Sequence, residues 1–190
     1  MARSSREQVA QNRQAVLETA SRLFKERGIE GVSVAEVMGA AGLTHGGFYG
    51  HFPSKEALAA EACEQSFARV AARWEALGDT PGALQEAVRH YLGAANCREP
   101  GRGCPAPALA AEAARDAPDG PLRRAFTLGM RGMAAGLERM LPGSVARRRR
   151  RQRALAALAT LVGAVLLARA VGDDPLGEEM LAAVQAELAG

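Results

Sequence analysis

Cysteine is scarce in this chain, and so are aromatic rings. Three cysteines among 190 residues, an odd number, do not suit a disulfide scaffold and fit a reducing cytoplasm. One tryptophan, two tyrosines and five phenylalanines stand against abundant Ala, Leu, Arg and Glu, a balance that favours helices. There is no glycine-rich phosphate loop, no His-Glu-x-x-His and no Cys-x-x-Cys, and the three histidines are scattered. No enzyme, metal site or cofactor is therefore expected. Charge of one sign is lacking too: a net +3 does not describe a nucleic-acid coat protein, so any DNA contact must come from a local arrangement. The longest apolar stretch, Ala154 to Ala168, has 15 uncharged residues between Arg153 and Arg169. That falls short of the ~20 needed to span a bilayer, so a buried helix is expected and no membrane partner. The polar start, Met1 to Glu7, has no apolar signal region, and the expected location is the cytoplasm.

What is present is organised around Gly42 to Leu58. Gly42 sits where two short helices must turn sharply, a place for positive φ. Leu43 reads as the apolar plug under that turn, and the Thr44 hydroxyl as a cap for the next helix. Phe48 and Phe52, four apart, share a face that can bury. Thr44, His45, Gly47, Tyr49 and His51 remain on or near the other face, which carries donors and small residues but no acid. Such a set suits phosphate oxygens and base edges. Gly46 and Gly47 weaken a short helix by roughly 1 kcal/mol each against Ala. They either let the backbone approach DNA closely or are simply poor helix residues. Ser54 caps the following helix, Glu56 lies in its first turn, and Lys55 at its N-terminus suits a phosphate.

Upstream, residues 1 to 8 read as a polar arm in which Arg3 and Arg6 either reach DNA or are solvated. A first helix spans about Val9 to Arg27, with Val9, Val16, Leu17, Ala20, Leu23 and Phe24 as its apolar stripe. Ser33 and Glu36 form a capping box for a second helix to about Ala41, and Ser33 is grouped with the DNA-side residues.

The segment Leu-Thr-x-Gly-x-Phe-Tyr-x-His-Phe-x-Ser-Lys-Glu-x-Leu resembles the signature of the TetR/AcrR family of one-component bacterial transcriptional regulators. With the preceding helices the resemblance covers about residues 10 to 60. It implies that this segment is the recognition helix and the start of the fourth helix. It also implies an all-α homodimer: a three-helix helix-turn-helix head at 1–53 and a helical effector-binding and dimerisation domain at 54–190, about nine helices in all. The expected function is repression from a pseudo-palindromic operator in double-stranded DNA, relieved when a small effector swings the fourth helix. Base-side contacts are assigned to Thr44, His45 and Gly47, with Gly46 beside them, and phosphate contacts to Tyr49, His51 and Lys55.

Beyond the head, a long helix from Ser54 to about Leu77 links the two parts. Further helices are expected at about 82–95, 108–115, 121–141, 146–171 and 176–188. The stretch Asn96 to Pro107, with three prolines and two glycines, reads as an irregular loop. Phe67, Trp74, Tyr91, Phe126, Met130 and Met133 are the large inward groups available to an apolar effector, or else ordinary core. Cys97 and Cys104 share the loop, with Arg98 and Arg102 beside them to favour thiolates, which makes a redox or electrophile sensor an alternative to a reversible ligand pocket. The competing reading is two small packing residues, and Cys63 reads as core. His90 reads as a surface or satisfied residue. The arginine run Arg147 to Arg151 has no evident structural reason at a helix N-terminus. The helix at about 146–171 is apolar nearly all round in its middle and must be buried, and with Leu181, Val184 and Leu188 of the last helix it predicts a dimer interface through about 146–188. A third alternative keeps the three-helix unit purely structural, in a helical interaction protein that does not bind DNA.

Overall fold

The computed structural model of the protein describes residues 6–189. These contain nine α-helices and two 3-10 turns, and among them no strand. Arg3 lies outside the described residues. Arg6 is the first residue of α1 (Arg6–Arg27), so the helix starts a turn earlier than its apolar stripe suggests. Val9, assigned to that stripe, is 43% exposed; Val16, Leu17, Ala20, Leu23 and Phe24 are buried as expected.

The head closes over α2 (Val34–Ala40) and a 3-10 turn, His45–Gly50. From there α3 (Lys55–Leu77) runs out of the head into the second layer. It packs chiefly along α7 (Pro121–Met140), and glycine sets how closely. A Cβ on Gly129 would collide with the Phe67 ring, and one on Gly136 would stand 2.9 Å from the Trp74 ring. The two α3 aromatics thus lie directly against the α7 backbone.

The helix expected at 82–95 is two helices, α4 (Ala83–Tyr91) and α5 (Ala94–Arg98), parted at Gly93. The proline-rich stretch is also more regular than its composition suggests. Pro100–Arg102 forms a 3-10 turn, and α6 (Pro105–Arg115) begins at Pro105 rather than Ala108. Pro105 and Pro107 sit in the first turn, where a missing N–H forfeits no intrahelical bond.

The arginine run acquires a reason in the fold. It opens α8 (Arg147–Val171), and Arg150 donates to the carbonyls of Glu138, Leu141 and Pro142 at 2.8–3.0 Å, capping the C-terminus of α7. A guanidinium there satisfies orphan carbonyls and opposes the negative end of the helix dipole. Arg151 adds a contact with Glu138 at 3.7 Å.

Within α8, Leu158, Leu161 and Val165 are buried on one face. Leu155, Leu166 and Leu167 on the other are 45–52% exposed, and Leu176 of α9 (Pro175–Ala189) is 49% exposed. At 25 residues α8 is long and apolar enough to cross a membrane on length and composition alone, with 39% of that stretch buried. A 15-residue apolar run between two arginines does not by its length exclude a span. What sets the helix in place here is packing against α5, α6, α7 and α9.

Candidate nucleic-acid interface

The head is built around two rings. Phe48 and Phe52 are buried at 0% and 1% exposure and stack with centroids 6.0 Å apart. Arg13 of α1 lies over Phe52, 4.5 Å from its centroid, and grips Glu61 of α3 through two bonds of 2.6 and 2.8 Å. That clamp fixes α1 against α3.

Ser33 and Glu36 form the capping box anticipated for α2: the Ser33 hydroxyl accepts from the Glu36 N–H, and the Glu36 carboxylate accepts from the Ser33 N–H. The carboxylate also takes a bond from Arg27. The Ser33 N–H, then Arg27 and the Ser33 hydroxyl, hold its pKa down to about 2. After α2 the chain turns at Gly42 with φ 73°. The Leu43 N–H closes the turn onto the Met38 carbonyl at 2.9 Å, and its half-buried side chain packs on the core.

Two expectations fail at the next step. Thr44 is the N-cap residue by backbone, but its hydroxyl makes no capping bond. The segment it introduces is a six-residue 3-10 helix rather than an α-helix. Three glycines in six positions supply little of the side-chain packing that holds an α-helical turn, and short 3-10 pieces tolerate this better than an α-helix does.

The outward side of this turn matches the sequence reading. Thr44, His45, Gly46 and Gly47 are exposed, and Tyr49 is 71% exposed with its ring edge against Phe48. Nothing stands within 4 Å of a Cβ placed on Gly46, and Gly47 would meet only Met38 and the Thr44 hydroxyl. His51 is half-buried, and its Nδ1 is buried without a partner. Lys55 opens α3, where Ser54 caps through a 3.2 Å bond from the Ala57 N–H. Glu56, held down in pKa first by the Ser54 hydroxyl, is the acid in that first turn.

The six large groups assigned to an effector divide in two. Phe67, Phe126 and Met133 are built into the core: Phe126 meets Phe67 edge-on at 5.5 Å, and the Met133 sulfur lies 3.7 Å from the Cys104 sulfur. Met130, half-buried, packs on the same core. Trp74 and Tyr91, 6.2 Å apart, line a cavity of about 50 Å³ between α3, α4 and the link from α5 to α6. The Tyr91 hydroxyl is buried there without a hydrogen bond. Such a group costs roughly 1–3 kcal/mol.

The cysteines do not stand in a flexible loop. Cys104 is buried as the N-cap of α6, its sulfur accepting from the Ala106 N–H at 3.4 Å, and Cys97 donates to the Leu92 carbonyl at 3.3 Å. Burial pushes both thiols up in pKa, the reverse of the effect expected from Arg98 and Arg102. Those arginines pair elsewhere, with Glu178 and Glu99. Cys63 is core, and burial raises it to about 12.

Several residues that organise this region carry no sequence motif. Buried Asn96 donates to the Tyr91 carbonyl and accepts from the Cys104 N–H, both at 2.7 Å. Arg169 of α8 donates to the Asn96 carbonyl. Lys25, buried on α1, donates to the Gly103 carbonyl at 3.0 Å, and burial lowers its pKa to about 8. Glu112 of α6 accepts from the Ile29 N–H at 2.6 Å, tying the second layer to the end of α1. Apart from the bonds of Asn96 to Tyr91 and Cys104, each of these contacts joins residues more than 70 apart, so only those two were open to a local reading.

The fold and this surface define a class: a helix-turn-helix head carried on a helical second layer. Comparison with known proteins narrows it. Residues 16–62 match the model of bacterial regulatory proteins of the tetR family. The chain is 34% identical over 97 residues to the HTH-type transcriptional regulator AcrR of Shigella flexneri, covering 48% of this chain and 45% of that one. It is 38% identical over 55 residues to the HTH-type transcriptional repressor DhaR of Mycobacterium sp. (strain GP1), 29% of this chain and 28% of that one. The matched stretch spans less than half the length of these curated relatives. Among solved structures, the reduced form of E. coli NemR superposes with a TM-score of 0.72 at 26% identity over 92% of this chain and 95% of that one. A TetR-family regulator from Agrobacterium tumefaciens does so with a TM-score of 0.79 at 21% identity, over 96% and 100%. The head of the chain is therefore similar to that of tetR-family regulators, and its whole fold is similar to theirs.

Proposed function

We propose that this protein is a ligand-responsive regulator of transcription, a repressor that binds a pseudo-palindromic operator as a homodimer. The observation that carries the reading is the acid-free outer face of the His45–Gly50 turn, held rigidly from behind by Phe48 and Phe52. Thr44, His45, Gly46 and Gly47 offer a free hydroxyl, a ring donor and two bare backbone positions to base edges. Tyr49, His51, Lys55 and, at the edge of the head, Ser33 serve the phosphates. The boundary between head and effector domain falls at residue 53, just before α3. Of the relatives, AcrR is named a transcriptional regulator and DhaR a transcriptional repressor.

The exposed leucines of α8 and α9 supply the second surface, and two copies joined there make a four-helix interface. Dimer symmetry then sets the spacing of the two half-sites. Binding of the purified protein to DNA upstream of its own gene, against an unrelated fragment at fixed salt, tests the reading. A specific shift is expected; equal, salt-sensitive binding to both fragments would remove sequence recognition at that site.

A thiol sensor at Cys97 and Cys104 has one observation in its favour, the position of the Cys104 sulfur at the N-terminus of α6. Its burial and raised pKa weigh against it. Alkylation of accessible thiols with no change in operator affinity would dispose of it.

A further inference from the structure

The cavity below Trp74 and Tyr91 is unusual in its charge. No acidic side chain lines it. Arg69 and Arg73 of α3 and Arg102 of the 3-10 turn stand around it, and only Arg102 is paired with a carboxylate, Glu99 at 3.3 Å. Arg69 spends its guanidinium on neutral partners: Gln65, and the hydroxyls of Ser21 and Ser66. Arg73 donates to His90 Nε2 at 2.6 Å, which requires that nitrogen to be the unprotonated one. Behind the cavity, Lys25 and Arg169 hold only backbone carbonyls. Arg69 and Arg73 hold no carboxylate partner, and an anion between them relieves their mutual repulsion.

A second, independent feature points inward. Tyr91 lines the cavity, 2% exposed, with its hydroxyl facing the Cys104 thiol, a weak partner, and no oxygen or nitrogen acceptor. The polar atoms of Asn96 nearby are already taken by the Tyr91 carbonyl and the Cys104 N–H. A strong donor is therefore left with at most a weak sulfur acceptor.

We propose that this cavity binds the carboxylate of a small organic acid, held by the Tyr91 hydroxyl and the Arg69 and Arg73 guanidiniums. A guanidinium and a hydroxyl donor match a planar carboxylate. The space, about 50 Å³, takes a group of a few heavy atoms. The Trp74 and Val70 side chains in the lining favour an organic acid over a strongly hydrated inorganic dianion. The site rests on the regulator reading for its purpose, and its position supplies the coupling. Ser21 of α1 and Ser66 of α3 pair directly at 2.7 Å and Arg69 donates to both, so an anion that draws Arg69 away weakens this bridge between the head and the second layer.

The test uses the full chain, with acetate, propionate and benzoate as probes, their uncharged amides as matched controls, and inorganic phosphate as a further anion, all at constant ionic strength. Calorimetric titration and thermal melting are read on the wild type, Tyr91→Phe and Arg73→Gln. Saturable binding of at least one carboxylate is expected, none of its amide, and a tenfold or greater loss in each variant. Arg73 is exposed, so Arg73→Gln remains informative if Tyr91→Phe folds poorly. The proposal is overturned if no carboxylate binds, if amide or phosphate binds as well, or if both variants bind normally. Operator affinity measured with the same probes separates this site from the regulator reading. Carboxylate binding that needs Tyr91 and Arg73 but leaves operator affinity unchanged keeps the site and sinks its regulatory purpose. Operator release by a neutral ligand indifferent to both variants keeps the regulator and sinks the site.

Discussion

Gly46 has open space where a Cβ would stand, and its φ is not positive. An alanine there meets no obstacle in the free protein and restricts the unfolded chain, so Gly46→Ala should raise stability by roughly 0.5 kcal/mol. On DNA the same methyl group stands on the approach face, so specific affinity should fall. Thermal denaturation and gel shift on one preparation read these opposite signs; a variant that binds as well as wild type removes the close-approach role of this glycine. Lys55→Ala should weaken binding about equally on all sequences and reduce the salt slope by roughly 1. Binding isotherms at several salt concentrations check this, since loss of a base contact would instead relax specificity. Glu36 gives the pH dependence. Its folded pKa of about 2 lies below the ordinary 4.5, so its contribution to stability is fully present above about pH 4.5. That contribution is lost as pH falls through about 2. Acid unfolding monitored by circular dichroism should be shallower in Glu36→Gln over that window, because the variant has nothing there to lose.

At the scale of helices, the seam between α3 and α7 is tightly packed. Gly129→Ala forces a Cβ into the Phe67 ring and should destabilise by roughly 1–3 kcal/mol, the usual penalty of overpacking. Adding Phe67→Leu makes room at that point, so the double variant should lose less than the sum of the two single changes. A double-mutant cycle on denaturant midpoints measures the coupling. The sequence announced the elements here but not their contact. Phe67 and Trp74 carry the helical period of a buried face, whereas Gly129 and Gly136 look like weak points in a helix until α3 is laid against them. Arg150 is similar. In sequence it belongs to an unfavourable run of like charge, and only the nearby end of α7 turns it into a cap.

For the whole molecule the open question is the exposed apolar face of α8 and α9. Leu166→Glu with Leu167→Glu places charge at its centre while leaving the buried face of α8 alone. Analytical ultracentrifugation should find the variant monomeric and the wild type dimeric, and the monomer should lose operator affinity far more than it loses helicity. A variant that remains dimeric would move the interface elsewhere.

The sequence by itself determined the head. Gly42 turns, and Ser33 with Glu36 and Ser54 cap, through partners a few residues away, while Phe48 and Phe52 share a face four residues apart. Interactions of that range are written in spacing, which is why the turn, the plug and the outward face were legible. Even so, spacing did not distinguish a 3-10 helix from an α-helix at His45–Gly50, since six residues fit either period. The tertiary structure alone decided the second layer. Lys25 reaches Gly103 across 78 residues, Glu112 reaches Ile29 across 83, and Arg169 reaches Asn96 across 73. Burial then reversed the chemistry that neighbouring arginines suggested for Cys97 and Cys104. Desolvation and long-range charge depend on what the folded chain brings alongside a group, and sequence spacing does not encode that.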